Sequence, residues 1–180
     1  MNVGYKVYFI RLINYVPLEV YIGRLLFFCI GLVILLAWKG IKAWRMILQL
    51  LFAEYVILLL CSTVIFRIVH QGREFDYTPF WSYSKQELWN ENIMNVAVFV
   101  PIGVLLFFIL KTQMSQAKVF LMVFFVGLGL SVLIETLQLI FMKGFSEIDD
   151  VIHNTLGCLL GYSFCLIIKK VCRYSMNYCR

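Results

Sequence analysis

The stretch IETLQLIFMKGFSEIDDVIHNTLGCLLGY, from Ile134 to Tyr162, decides how the chain must fold. It joins two apolar runs, yet it places Glu135 inside the first run and Asp149, Asp150 and Asn154 at the start of the second. A charged residue at the centre of a bilayer costs about 2.5–3.5 kcal/mol, so such residues turn toward protein or water. The stretch therefore predicts two apolar helices with a polar patch where they join.

The composition of the whole chain is that of a membrane protein. Of its 180 residues, 62% are hydrophobic and only 14% are charged, whereas globular proteins carry about 25% charged residues. Lipid offers no hydrogen-bond partners, so an apolar run that crosses it must be helical. We predict an all-α fold, a polytopic membrane helix bundle with about five transmembrane helices. The five runs are Val20–Trp38, Met46–Phe66, Asn92–Leu110, Val119–Phe141 and Val151–Ile168.

The net charge of +6 does not point to nucleic acid, because the basic residues occupy the gaps between apolar runs. The lipid bilayer is the predicted partner, and no cofactor or metal is predicted. Three gaps carry Lys or Arg without acids, and the positive-inside rule places them in the cytoplasm. The gaps 67–91 and 142–150 hold more acids than bases and are predicted outside. The C-terminus is then cytoplasmic, whereas the topology of residues 1–19, a predicted interfacial arm, stays open.

Polar residues from four predicted spans reach one depth, just below the outer surface. Glu135 lies about 9 Å below the outer end of its span, and Gln138 lies one turn above it on the same face. We predict an outward-facing polar pocket at this level. Its members are Arg67, Asn95, Glu135, Gln138, Lys143, Asp149, Asp150 and Asn154.

Several of these residues also have purely structural interpretations. Asp149 or Asp150 could cap the last helix, and Glu135 with Gln138 could join helices. Glu54 lies mid-span, where a hydrogen-bonded interior role is expected, and His153 could be a metal ligand, an acid or base, or a hydrogen-bonded surface group. Small residues in the last two spans predict close helix packing. They are Gly127, Ser131, Gly157 and Gly161.

Five motifs together resemble the VanZ-like family of small membrane proteins. They are TVIFR (63–67), TPFWSY (78–83), NVAVFVPIG (95–103), IETLQ (134–138) and EIDDVIHNTLGCLLGY (147–162). The chain departs from the family in having Lys143-Gly144 where many members have Gly-Arg, and Tyr77 where Asn is usual. We therefore divide the chain into residues 20–62, with two poorly matched spans, a VanZ-like membrane domain over 63–168, and a basic cytoplasmic tail over 169–180.

The resemblance implies a role in the cell envelope, since the family's namesake is associated with low-level resistance to the glycopeptide teicoplanin. The leading hypothesis is a protein that is not demonstrably an enzyme. Its pocket would bind a lipid headgroup, a lipid-linked wall precursor or a lipoglycopeptide, with Arg67 and Lys143 attracting the anionic group. One alternative is an enzyme acting on a lipid headgroup, with Glu135 and Asp150 as catalytic acid and base or as metal ligands. Another is a structural or partner subunit. The ligand and the oligomeric state stay open.

Overall fold

A computed structural model describes residues 43–67, 75–110 and 114–178. The predicted N-terminal arm, the first predicted span and His70 lie outside these residues. The main helices are α1 (Ala43–Leu60), which continues into a π-helix over Cys61–Ile65, α2 (Trp89–Ile109), α3 (Gln116–Phe141) and α4 (Ile148–Tyr178). Two short strands accompany them, β1 (Phe75–Asp76) and β2 (Ser146–Glu147), and two 3-10 turns precede α2 at Trp81–Ser84 and Gln86–Leu88.

Within the described ranges, four helices are long and apolar enough to cross a membrane. They cover Trp44–Ile65, Trp89–Ile109, Gln116–Phe141 and Ile148–Tyr174. These correspond to the second to fifth predicted spans, so the predicted all-α membrane fold is confirmed. The last helix continues ten residues beyond the predicted end at Ile168, because no Gly or Pro interrupts residues 163–178.

The chain divides into two compact units. The first unit comprises Met1–Pro79 and Leu133–Ile148, and the second comprises Phe80–Val132 and Asp149–Arg180. In the first unit, β1 pairs in parallel with β2, with Phe75 opposite Ser146 and Asp76 opposite Glu147. These strands belong to the two gaps that carry most of the acidic residues. The two gaps therefore lie on the same side of the membrane.

In the second unit, glycines bring helix backbones into direct contact. A Cβ atom at Gly157 would overlap the carbonyl of Val96, and one at Gly161 would overlap the carbonyl of Val100. The GCLLG segment of α4 thus packs against the backbone of α2. From the other side, a Cβ atom at Gly103 of α2 would overlap the carbonyl of Cys158.

Small residues of α3 face α4 in the same unit. A Cβ atom at Gly127 would lie 2.9 Å from the Cβ atom of Cys158. One turn further along, Ser131 Oγ accepts a hydrogen bond of 2.9 Å from Asn154 Nδ2. The close approach of α3 and α4 therefore combines a small-residue contact with a buried polar contact, as expected where lipid offers no hydrophobic driving force.

The glycine contacts predict that alanine will destabilise α4 wherever the backbone of α2 is in the way. Gly157→Ala and Gly161→Ala should each lower the free energy of unfolding by about 1–3 kcal/mol through overpacking. The matched control is Gly129→Ala, because no heavy atom lies within 4 Å of a Cβ atom there. That control should be neutral or stabilise by up to about 1 kcal/mol. Thermal unfolding in detergent measures both, and equal effects at Gly129 and Gly157 would contradict the packing described.

Candidate functional site

The end of α1 is stabilised by side chains from the end of α3, within the first unit. The last carbonyl groups of a helix have no partners inside it, and here the π-helix Cys61–Ile65 presents them to α3. Gln138 Nε2 donates a hydrogen bond of 3.1 Å to the carbonyl of Thr63. Lys143 Nζ lies 3.4 Å from the carbonyl of Ile65. Two of the predicted site residues therefore also cap a helix.

Glu135 holds the loop that follows α3. Its side chain is only 3% exposed, and its carboxylate Oε2 accepts a hydrogen bond of 3.1 Å from the backbone N–H of Glu147. Its backbone carbonyl accepts a second bond of 2.9 Å from Ser146 Oγ. Both bonds reach β2, so Glu135 fixes the position of that strand against the helix end.

Arg67 and Lys143 form a crossed pair of cations in the first unit. Lys143 reaches from the end of α3 to the carbonyl of Ile65, and Arg67 reaches from the end of α1 to Gly144. A Cβ atom at Gly144 would lie 2.5 Å from Arg67 Nε, so the guanidinium group packs directly against this glycine. Gly144 also has a φ of +83°, which other residues rarely adopt. We call these two residues the cation pair.

In the second unit, Asp149 organises the aromatic loop that precedes α2. The carboxylate is fully buried and accepts hydrogen bonds from the backbone N–H of Phe80, from Ser82 Oγ and, at 3.1 Å, from the backbone N–H of Ser82. Asn92 Nδ2 donates to the same serine oxygen at 3.0 Å. Phe80 adopts a left-handed conformation with φ of 63°. Asp149 thus accepts these hydrogen bonds from the loop at residues 80–82. The interpretation of Asp149 as a helix cap did not predict these bonds.

The remaining polar residues of the second unit also bond to one another. Asn95 Nδ2 donates to Asp150 Oδ1 at 2.7 Å, and His153 Nε2 lies 2.8 Å from the hydroxyl of Tyr83. His153 is buried, whereas Tyr83 is about half exposed. Among the residues the structure describes, no group of three His, Cys, Asp or Glu could hold a metal ion.

The eight residues predicted to line a pocket fall into two clusters, one in each unit. Arg67, Glu135, Gln138 and Lys143 belong to the first unit, and Asn95, Asp149, Asp150 and Asn154 belong to the second. A single pocket built from all eight stays a prediction, as does joint action of Glu135 and Asp150. Glu54 is buried in α1.

Several residues on which the two clusters depend were not predicted from the sequence. They are Ser82, Ser146, Gly144 and the backbone carbonyls of Thr63 and Ile65. The only signal for Ser82 was its position as a small polar residue within the aromatic motif TPFWSY. Ser146 carried a similar signal, directly before the acidic motif. The backbone carbonyls carried none, because every residue has one.

A family model described as VanZ/LLP1 matches residues 26–169, which is most of the 180-residue chain. The chain belongs to the VanZ/LLP1 family. Protein VanZ of Enterococcus faecium is 38% identical over 92 residues, which make up 51% of this chain and 52% of that protein. The match thus spans about half the length of this curated relative. No solved structure matches the chain. Both site clusters lie within the residues that the VanZ/LLP1 model covers.

The role of Asp149 can be tested by the accessibility of the loop that it holds. Asp149→Ala leaves three donors of that loop without their acceptor, and each buried unpaired group costs about 1–3 kcal/mol. We expect trypsin to cleave after Lys85 at least about tenfold faster in this variant, because 1.4 kcal/mol corresponds to a factor of ten.

The matched control for this experiment is Asp76→Ala. The carboxylate of Asp76 accepts an exposed, local hydrogen bond from the backbone N–H of Thr78, so its loss should leave cleavage after Lys85 unchanged. Similar cleavage rates for the two variants would show that Asp149 does not hold the loop.

Proposed function

We propose that this VanZ-family protein binds an anionic, phosphate-bearing lipid headgroup at the cation pair, Arg67 and Lys143. The ligand class includes lipid-linked wall precursors and lipoglycopeptides. We further propose that this binding contributes to tolerance of teicoplanin-type glycopeptides. The observation that carries the proposal is the crossed arrangement of two cations at the ends of two apolar helices, where lipid headgroups lie.

The geometry of the pair supports phosphate binding. The guanidinium group of Arg67 lies against Gly144, and the Arg67 side chain is exposed. Its planar set of five N–H donors matches the oxygens of phosphate in a bidentate manner. Lys143 is half-buried beside the carbonyl of Ile65, and it has three donors, only one of which that carbonyl can accept. We propose that both side chains donate to one headgroup.

Membership of the VanZ/LLP1 family supports the physiological part of the proposal. The sequence resemblance implies a role in the cell envelope and an association with glycopeptide resistance. The protein would alter the action of glycopeptides by binding the lipid-linked molecules on which those antibiotics act. The relative Protein VanZ is matched over about half its length.

Removing either cation should weaken binding of anionic lipid. Arg67→Gln and Lys143→Gln should each reduce the affinity for polyprenyl monophosphate about fivefold, since each basic residue near a headgroup contributes about 1 kcal/mol. Titration of the purified full chain in neutral-lipid nanodiscs measures this. In a Gram-positive host, the same variants should lower the inhibitory concentration of teicoplanin toward that of cells lacking the protein.

The matched control is Lys118→Gln. Lys118 is an exposed cation near the start of α3, at the opposite end of that helix from Lys143. It should keep wild-type affinity and tolerance. Variants of the cation pair that insert normally and retain both properties would contradict the proposed function.

We propose further that the cation pair faces the outside of the cell. Lys169, Lys170 and Arg173 are exposed on the last turns of α4, far from the loop that precedes this helix. Basic residues flanking a span favour the cytoplasm. Because α4 is long enough to cross the bilayer once, its first residues and the cation pair before it would then lie on the outer side.

The orientation predicts the behaviour of reporters fused to the C-terminus. A fluorescent protein fused after Arg180 should be active, and alkaline phosphatase fused there should be inactive, because the first folds in the cytoplasm and the second requires export. Fusions placed after Phe145 should give the reverse pattern. Active alkaline phosphatase at the C-terminus would overturn the proposed orientation.

A further inference from the structure

The side-chain amide of Gln138 has a fixed orientation. Gln138 is only 1% exposed, and its Nε2 donates to the carbonyl of Thr63 at 3.1 Å. A carbonyl oxygen can only accept, so the nitrogen of the amide must face it and the oxygen must point elsewhere. That oxygen, Oε1, is buried and has no hydrogen-bond partner within the ranges 43–67, 75–110 and 114–178.

A buried acceptor of this kind requires a donor. Leaving a polar group unpaired in the interior is unfavourable, and buried amides in native proteins are rarely left so. Glu135 lies three residues earlier on α3, on the same helix face, and its carboxylate is also buried. The Glu135 and Gln138 side chains therefore lie on the same face of α3, about one turn apart, in the unit that also holds the cation pair.

The charges of this unit indicate which donor fits. An ammonium group would be attracted by Glu135 but repelled by the cations Arg67 and Lys143. Hydroxyl groups donate without carrying charge, and their oxygens can also accept from the cation pair. Adjacent hydroxyl groups on a sugar ring can donate hydrogen bonds to an amide oxygen and to a carboxylate at the same time.

We infer that the ligand of this protein carries a sugar next to its phosphate, and that Gln138 Oε1 and the Glu135 carboxylate accept hydrogen bonds from the sugar hydroxyls. This inference rests on the proposed binding of the phosphate by the cation pair. It identifies the neighbouring group of the ligand as a sugar. The substrate class is a glycosylated polyprenyl phosphate or a lipid of the same chemistry.

The test compares two phosphodiester probes of equal charge that differ by the sugar, namely the methyl ester of polyprenyl phosphate and its monoglycosyl ester. Dissociation constants are measured for the full chain in neutral-lipid nanodiscs. We expect wild-type protein to bind the glycosylated probe about tenfold more tightly, as two additional hydrogen bonds would give. Gln138→Met should reduce this preference at least threefold, because methionine fills the space without an acceptor of comparable strength.

The matched control is Leu133→Met, which places the same side chain on an exposed face of α3 and should keep the tenfold preference. If Gln138→Met does not fold, because it also loses the bond to Thr63, Glu135→Gln provides the second variant. It keeps an oxygen for the N–H of Glu147 but loses the charge, and it should reduce the preference in the same direction.

The outcomes separate the inference from the proposed function. Equal affinity of wild-type protein for both probes would overturn the inference and leave the phosphate site standing. Binding of neither probe would overturn both. A third probe, monoglucosyl diacylglycerol, has the sugar without the phosphate. If it bound as tightly as the glycosylated phosphate, the sugar site would be supported and the phosphate site contradicted.

Discussion

The structure depends on buried carboxylates that hydrogen-bond to loop backbone at the ends of apolar helices. A backbone N–H that is buried away from water needs an acceptor within the protein. Asp149 provides acceptors for the loop at residues 80–82, and Glu135 provides one for β2. The acidic residues that seemed out of place in an apolar chain are thus the anchors of its connecting loops, and their charge strengthens each bond.

The same requirement explains the unusual end of α1. The carbonyls of Thr63 and Ile65 accept from Gln138 and Lys143, so the end of one span depends on side chains of another. Helix ends that lack such partners are rarely buried, and a π-helix at this point is the kind of irregularity found near functional sites. The ligand-binding role proposed for Lys143 would use the same side chain that contacts the end of α1.

The spans and the polar residues could be predicted from the sequence, but their partners could not. Hydropathy and length placed four described helices within a few residues, except that α4 continues to Tyr178. The cost of placing a charge in lipid indicated that Glu135 needs an internal partner, and the structure gives it the backbone N–H of Glu147. For Asp149 the sequence suggested only a helix cap, and its bonds to the loop at residues 80–82 were not predicted. Those partners are mostly backbone groups of loops, such as the N–H of Ser82. The loop conformations depend on residues in the left-handed region and on short strand pairs, neither of which can be recognised from the amino-acid composition. The contact between Arg67 and Gly144 could not be predicted for the same reason.

The mixture of charges in the first unit bears on selectivity. A site made only of cations would bind any anion in proportion to its charge, and would be screened by salt. Here Arg67 and Lys143 share a unit with the buried acceptors of Glu135 and Gln138. At the proposed site, a simple anion would contact the cations but would leave the buried Oε1 atom of Gln138 without a donor, and it would be repelled by the carboxylate of Glu135. Under this proposal, a ligand with an acceptor group at one end and hydroxyl donors at the other would satisfy both sets. Discrimination among lipids would then arise from the penalty on incomplete ligands as much as from attraction to the complete one.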